Sequence, residues 1–147
     1  MEKILIISLL VLNAIVNKIE SDSYSLTIKT NGLENSEGTM IFAIYNKDGS
    51  IPDQKFKKYY RKESASIVDN KSEITFNNLP QGLYAVIILH DENNNGKIDT
   101  KFMLPLPDEG VGFSNYNDFG LNNRPNFKKA RFNLKNDSTV VVKINYK

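Results

Sequence analysis

A period of two runs through most of this chain. In "YSLTIKT", Tyr24 to Thr30, the residues Tyr24, Leu26 and Ile28 fall on one face and Ser25, Thr27 and Lys29 on the other. That is the pattern of a strand with one face on a core and the other in water. "TMIFAIY" (39–45), "SEITF" (72–76), "LYAVIIL" (83–89), "KARFNL" (129–134) and "TVVVKINY" (139–146) read as strands too. Between them stand "NGLENSEG", "NKDGS", "NNLPQG" and "NDS", whose residues supply turn geometry and side-chain-to-backbone bonds. Turns of this length join antiparallel neighbours. The expectation is an all-β fold, a single antiparallel β-sandwich of about seven strands. Leu83 to Leu89 is apolar almost without interruption, which predicts a central strand buried on both faces. After Pro52, Phe56, Tyr59 and Tyr60 recur at i, i+3 and i+4, which predicts one short crossover helix.

The chain has 147 residues, 40% apolar and 24% charged, which suits one globular domain. Its first twenty residues, MEKILIISLLVLNAIVNKIE, carry an apolar run from Ile4 to Val16 that is short for a bilayer span and suits a secretory signal. We therefore expect residues 1–20 to be a signal peptide, residues 21–147 to form one sandwich domain, and the protein to be exported. There is no cysteine, which removes disulfides and thiolate metal sites. A formal charge of +2 gives no reason to expect nucleic acid.

One loop could hold a metal. In "HDENNNGKID", with Asp91 as position 1, Asn93 is position 3, Asn95 position 5, Gly96 position 6, Lys97 position 7 and Asp99 position 9. Calcium loops place side-chain oxygens at 1, 3 and 5, a glycine at the bend and an inward carbonyl at 7. The expected donors are Asp91, Asn93, Asn95, the Lys97 carbonyl and Asp99. Position 12, where an EF-hand supplies a bidentate Glu, is Phe102, and a strand precedes the loop. This is a strand-end loop, with Asp108 or Glu109 as the source of the missing carboxylate and an affinity on the order of 10⁻⁴ to 10⁻³ M. The alternative is that the Asp and Asn residues only cap their own turns; asparagine supplies 19 of the 147 residues, so Asp91, Gly96 and Asp99 carry the case.

Other segments offer competing chemistries. His90, the only histidine, could serve an enzyme together with Asp91, Asp99 and Asp108, or simply bond to loop backbone. A zinc site lacks the further ligands it needs. "GVGFSNYNDFGLNNRPNF", 110–127, is long and irregular: either a binding surface or a plug in which Phe113 and Phe119 close the sandwich. Ser114 lacks a nucleophile elbow. Lys55, Lys57, Lys58, Arg61 and Lys62 put five positive charges in eight residues, suited to an anionic glycan or membrane surface, or to the solvated face of a short helix.

Phe76 to Asn115 resembles the DUF2141 family of small exported bacterial proteins. An apolar-x-x-Leu-Pro-x-Gly-x-Tyr-Ala strand, a His-Asp-x-Asn-x-Asn-Gly-x-Ile-Asp loop and a Gly-x-Gly-Phe-Ser-Asn segment occur in that order. The characteristic positions carry over as His90, Asp91, Asn93, Asn95, Gly96, Asp99, Gly110, Gly112, Phe113, Ser114 and Asn115. The resemblance implies a signal peptide, a transthyretin-like or immunoglobulin-like sandwich, and no established activity. "LPQGLYAV" is also similar to strands of Cna-B-type and carboxypeptidase-regulatory-type domains, which implies a stalk or accessory role. The expected function is an exported, non-catalytic binding or structural module with a weak calcium loop at 91–99.

Overall fold

The computed structural model describes residues 22–101 and 103–147; the expected signal peptide at 1–20 lies outside them. Eight strands and one helical turn follow in order: β1 (Ser23–Asn31), β2 (Thr39–Tyr45), β3 (Arg61–Ala65), β4 (Glu73–Pro80), β5 (Gly82–Asp91), β6 (Gly110–Phe113), α1 (Phe127–Ala130), β7 (Phe132–Leu134) and β8 (Ser138–Lys143). One sheet runs β4-β1-β8 and the other β3-β2-β5-β6, with β7 pairing the start of β5. The expected all-β sandwich is what forms.

Alternation decides which side chain enters which layer. On β2 and β5, Met40, Phe42, Ile44, Tyr84, Val86 and Ile88 pack toward the smaller sheet, where Leu26, Ile28 and Phe76 meet them. The intervening Ile41, Ala43, Tyr45, Ala85, Ile87 and Leu89 face the other way, against Ile51, Phe56, Ile98, Phe113, Phe119 and Phe127. The larger sheet is therefore buried on both faces, and its outer cover consists mostly of loops. β5 is the central strand its unbroken apolar run predicts, with β2 on one side and β6 on the other.

Two expectations are corrected. Residues after Pro52 do not form a helix: the Asp53 carboxylate accepts the backbone N–H of Lys57 and Lys58 at 3.0 and 2.7 Å, Phe56 sits at a φ of 48°, and Tyr60 N–H reaches the Ile44 carbonyl at 2.7 Å. The chain thus turns and enters β3, an edge strand of the larger sheet. Phe56 is buried while Tyr59 and Tyr60 are about two-fifths exposed, so the three rings do not share a face. The helical turn lies instead at Phe127–Ala130, where Asn126 Oδ1 accepts Lys129 N–H at 3.0 Å as an N-cap and Phe127 and Ala130 point inward. The second correction concerns strand direction. The strand pairings are antiparallel except β1–β8, which run parallel from Leu26↔Ser138 to Asn31↔Lys143. Turn chemistry governs only consecutive strands, and these two come from opposite ends of the described chain.

Candidate functional site

The loop after β5 is held by its own polar side chains. Asp91 is buried; its Oδ1 accepts Asn95 N–H at 3.0 Å and its Oδ2 accepts Gly96 N–H at 2.8 Å. Asn93 Oδ1 also accepts Asn95 N–H, and Asn95 Oδ1 accepts Lys97 N–H, each at 3.0 Å. These are the local side-chain-to-backbone bonds that make Asp and Asn turn formers. Gly96 has a φ of 76°, at the position where the sequence expects the bend. Ile98 is buried and its N–H donates to the Gln54 carbonyl at 2.9 Å, anchoring the loop on the outer layer.

Asp99 gathers the loop's cationic and amide donors. Its Oδ1 meets Lys97 Nζ at 2.8 Å, while its Oδ2 accepts from Asn93 Nδ2 at 2.9 Å and from Asn95 Nδ2. The Lys97 bond above all, then those of the two asparagines, lowers the Asp99 carboxyl to about 2, and the same contact raises the Lys97 ammonium. A carboxyl whose folded value lies below its unfolded one stabilises the fold above the unfolded value, near pH 4, and loses that contribution as pH falls toward 2. In EDTA, the thermal midpoint of Asp99→Asn should lie a few degrees below wild type at pH 6, and the gap should close by pH 2. A gap independent of pH would refute the assignment.

The two residues weighed as a further carboxylate part company. Asp108 is exposed, though its N–H donates to the Asp99 carbonyl at 3.0 Å. Glu109 is 5% exposed, and neither carboxylate oxygen has a hydrogen-bond partner. Register explains its position. Gly110 of β6 lies opposite His90 of β5, so the next antiparallel step sets Glu109 across from Asp91 on the outer face. Burial first, then the nearby Asp91 and Asp99 charges, raises the Glu109 carboxyl; the backbone N–H groups of Asp99 and Asn93 lower it in part without reaching bonding geometry. Among the described residues no three carboxylate or imidazole groups form a ready metal cluster.

His90 belongs to the other layer. One ring nitrogen, Nε2, lies 2.7 Å from the Glu37 carbonyl and must carry the proton, since a carbonyl only accepts. Nδ1 then accepts from the Tyr146 hydroxyl at 2.6 Å, and that oxygen accepts Glu34 N–H at 3.3 Å. The structure does not bring His90 together with Asp91, Asp99 and Asp108. Both ring nitrogens instead tie the 34–37 turn to the end of the chain. Ser114 is likewise engaged, donating to the Ala130 carbonyl at 2.7 Å and accepting Val86 N–H at 2.8 Å. Asn115, at a φ of 59°, donates to the carbonyls of Ala130 and Arg131 at 3.2 and 2.8 Å. The "GFSN" residues therefore fasten β5 to α1.

Next to the loop, on the outer layer, lies a cavity of about 320 Å³. Three stretches of chain build it: 52–54, then Ile98 with residues of 105–113, and 119–125. Ile98, Leu106, Val111, Phe113 and Phe119 contribute apolar wall, and the Phe113 and Phe119 rings stack edge to face with centroids 4.9 Å apart. The irregular 110–127 segment thus serves as core and as cavity wall together. Arg124 also lines the cavity and makes no ion pair among the described residues. The other charged lining group, Asp53, is already bonded to Tyr45 and to two backbone N–H groups. The sequence hides this cavity because its walls come from three segments far apart along the chain.

In the basic segment, Lys55, Lys57 and Lys58 are exposed. Arg61 is half-buried and already engaged, with its guanidinium 5.3 Å from the Phe76 ring centre, bonded to the Asn77 carbonyl at 2.7 Å and paired with Glu63 at 3.0 Å. Lys62 Nζ lies over the Phe56 and Tyr59 rings at 5.8 and 5.4 Å. Among the described residues no helix is long and apolar enough to cross a membrane.

The model of the DUF2141 family, described as an uncharacterized protein conserved in bacteria, matches residues 28–142. No curated protein matches the chain. Among solved structures, a pilus-presented adhesin, Spy0125 (Cpa), aligns with 15% identity and a TM-score of 0.30; the alignment covers 88% of this chain, which spans 28% of that protein.

Proposed function

Because the chain belongs to the DUF2141 family of uncharacterized proteins conserved in bacteria, which brings no assigned activity with it, we propose a role from the site itself: an exported, non-catalytic module that binds a small amphipathic anion in the outer-layer cavity. The observation that carries this reading is an apolar cavity of about 320 Å³ with one guanidinium at its wall, that of Arg124, which makes no ion pair among the described residues. Small-molecule sites have this character, mostly apolar with a few placed polar groups, and this volume lies at their lower end. A short apolar body would fill the space between Ile98 and Phe119 while a carboxylate meets Arg124. The bonding of His90 and Ser114 within the fold supports a non-catalytic role.

Octanoate and the neutral octanol test it. Titration followed by amide NMR shifts should show saturable octanoate binding with a Kd on the order of 1 mM, with shifts concentrated at 98–107 and 119–125. Arg124→Gln should weaken octanoate about tenfold and leave octanol unchanged. Gly120 lines the cavity and a Cβ there meets nothing within 4 Å, so Gly120→Phe should block both ligands without unfolding the protein. Linear, non-saturating shifts, or equal octanoate affinity in the three proteins, would dispose of the reading.

A further inference from the structure

Glu109 presents a physical problem that the fold leaves unsolved. A carboxylate buried without a donor is unfavourable, because burial removes its hydration and nothing replaces it. Here the difficulty is compounded, since β5–β6 register places it opposite Asp91, and like charges facing each other across a ladder destabilise it. Both Glu109 oxygens lack a hydrogen-bond partner, the residue is only 5% exposed, and the groups that act on its carboxyl, the Asp91 and Asp99 charges and the Asn93 and Asp99 N–H groups, all belong to the 91–99 loop. Three carboxylates, Asp91, Asp99 and Glu109, thus stand around one loop with a single ammonium, Lys97, bonded to one of them.

We propose that the 91–99 loop binds one calcium ion, with Glu109 supplying from β6 the carboxylate that the loop's own twelfth position lacks. The donor set is Asp91, Asn93, Asn95, the Lys97 carbonyl, Asp99 and Glu109. All are oxygens, and their number and the flexible loop suit calcium, whereas magnesium demands near-ideal octahedral geometry and gives up water reluctantly. The ion does two things that no side chain of the loop does. It gives Glu109 a partner, and it screens Glu109 from Asp91. It also competes with existing bonds: Lys97 Nζ and the Asn93 and Asn95 amides must turn away from Asp99 so that oxygens face the ion. That competition keeps the affinity in the range of extracellular calcium modules, on the order of 10⁻⁴ to 10⁻³ M. None of the six donors lines the cavity, although Ile98 of the same loop does, and calcium binding and octanoate binding are measured independently.

The experiment is calorimetry on the full chain freed of metal with EDTA. Titration of calcium into wild type should saturate at one site. At about 10 mM calcium the thermal midpoint should rise by about 5–8 °C, and the same concentration of magnesium should give less than about a third of that rise. Glu109→Gln should lose most of the calcium-induced rise, while Asp108→Asn, altered at the exposed neighbour, should keep it. Without calcium, Glu109→Gln should unfold no lower than wild type, because it removes an unpaired buried charge. Absence of saturable calcium binding to wild type overturns the proposal. So does a full rise retained by Glu109→Gln, a midpoint of that variant well below wild type in EDTA, or an equal response to magnesium.

Discussion

Gly38→Ala should lower the thermal midpoint by about 10–15 °C, a large effect for a single added methyl group. Gly38 has a φ of 67°, a region that costs a residue with a Cβ roughly 1–2 kcal/mol. The second cause is steric. A Cβ built there lies 2.2 Å from the Asp91 carbonyl oxygen and 2.7 Å from the Glu92 Cα, both of them backbone atoms with no rotamer to yield. At 2.2 Å the overlap falls in the upper half of the about 1–3 kcal/mol that forcing extra volume into a packed contact adds, so the sum is about 3–5 kcal/mol, which for a protein of this size gives the stated shift. The displaced atoms begin the 91–99 loop, so calcium affinity should fall together with stability. Differential scanning calorimetry checks the first effect, and a midpoint within 3 °C of wild type would show that the 37–39 turn moves aside freely.

Phe42→Ala should destabilise by about 3–5 kcal/mol, again about 10–15 °C. Phe42 is fully buried on β2, between Glu63 of β3 and Ile88 of β5 in register, and packs in the layer between the two sheets. Deleting the ring removes apolar contacts and leaves a cavity that rigid strands on three sides cannot collapse to fill. Val141→Ala is the contrast. Val141 is 62% exposed on β8, and its loss should cost less than about 0.5 kcal/mol. Chemical denaturation of both variants measures the difference, and equal midpoints would mean that the sheet-to-sheet layer does not dominate stability.

The strands that the sequence reveals are those buried on at least one face. β2 begins and ends at Thr39 and Tyr45, as its apolar pattern reads, and β5 extends the Leu83–Leu89 run by only a few residues. β3 is invisible because "RKESA" is an edge strand with exposed residues through its middle, and the strand exists because β2 offers it an edge. The aromatic spacing just before it imitates a helix face, and only Asp53, bonding two N–H groups forward, explains why the chain turns instead. β6 is hidden by its glycines, which are poor strand formers. They are present because the C-terminal segment passes close by: a Cβ on Gly110 would meet the Tyr146 ring at 2.6 Å, and one on Gly112 the Lys143 carbonyl at 2.6 Å. Asp91, Asn93, Asn95 and Asp99 were legible as a loop because their bonds are local. The choice between Asp108 and Glu109 was not, since it depends on which residue of β6 faces Asp91. His90 was ambiguous for the same reason: Tyr146 and Glu37 lie more than fifty residues away on either side.

The parallel pairing of β1 with β8 has a mechanical consequence. Tension applied ahead of Ser23 and beyond Lys143 would pull two hydrogen-bonded neighbours lengthwise past each other, because they point the same way. Six residue pairs, Leu26↔Ser138 to Asn31↔Lys143, would then share the strain at once, whereas an antiparallel pair held by its adjacent ends would unzip one bond at a time. Stretched between its two ends, the molecule is clamped in shear, and its resistance to force is set by that ladder more than by its thermal stability.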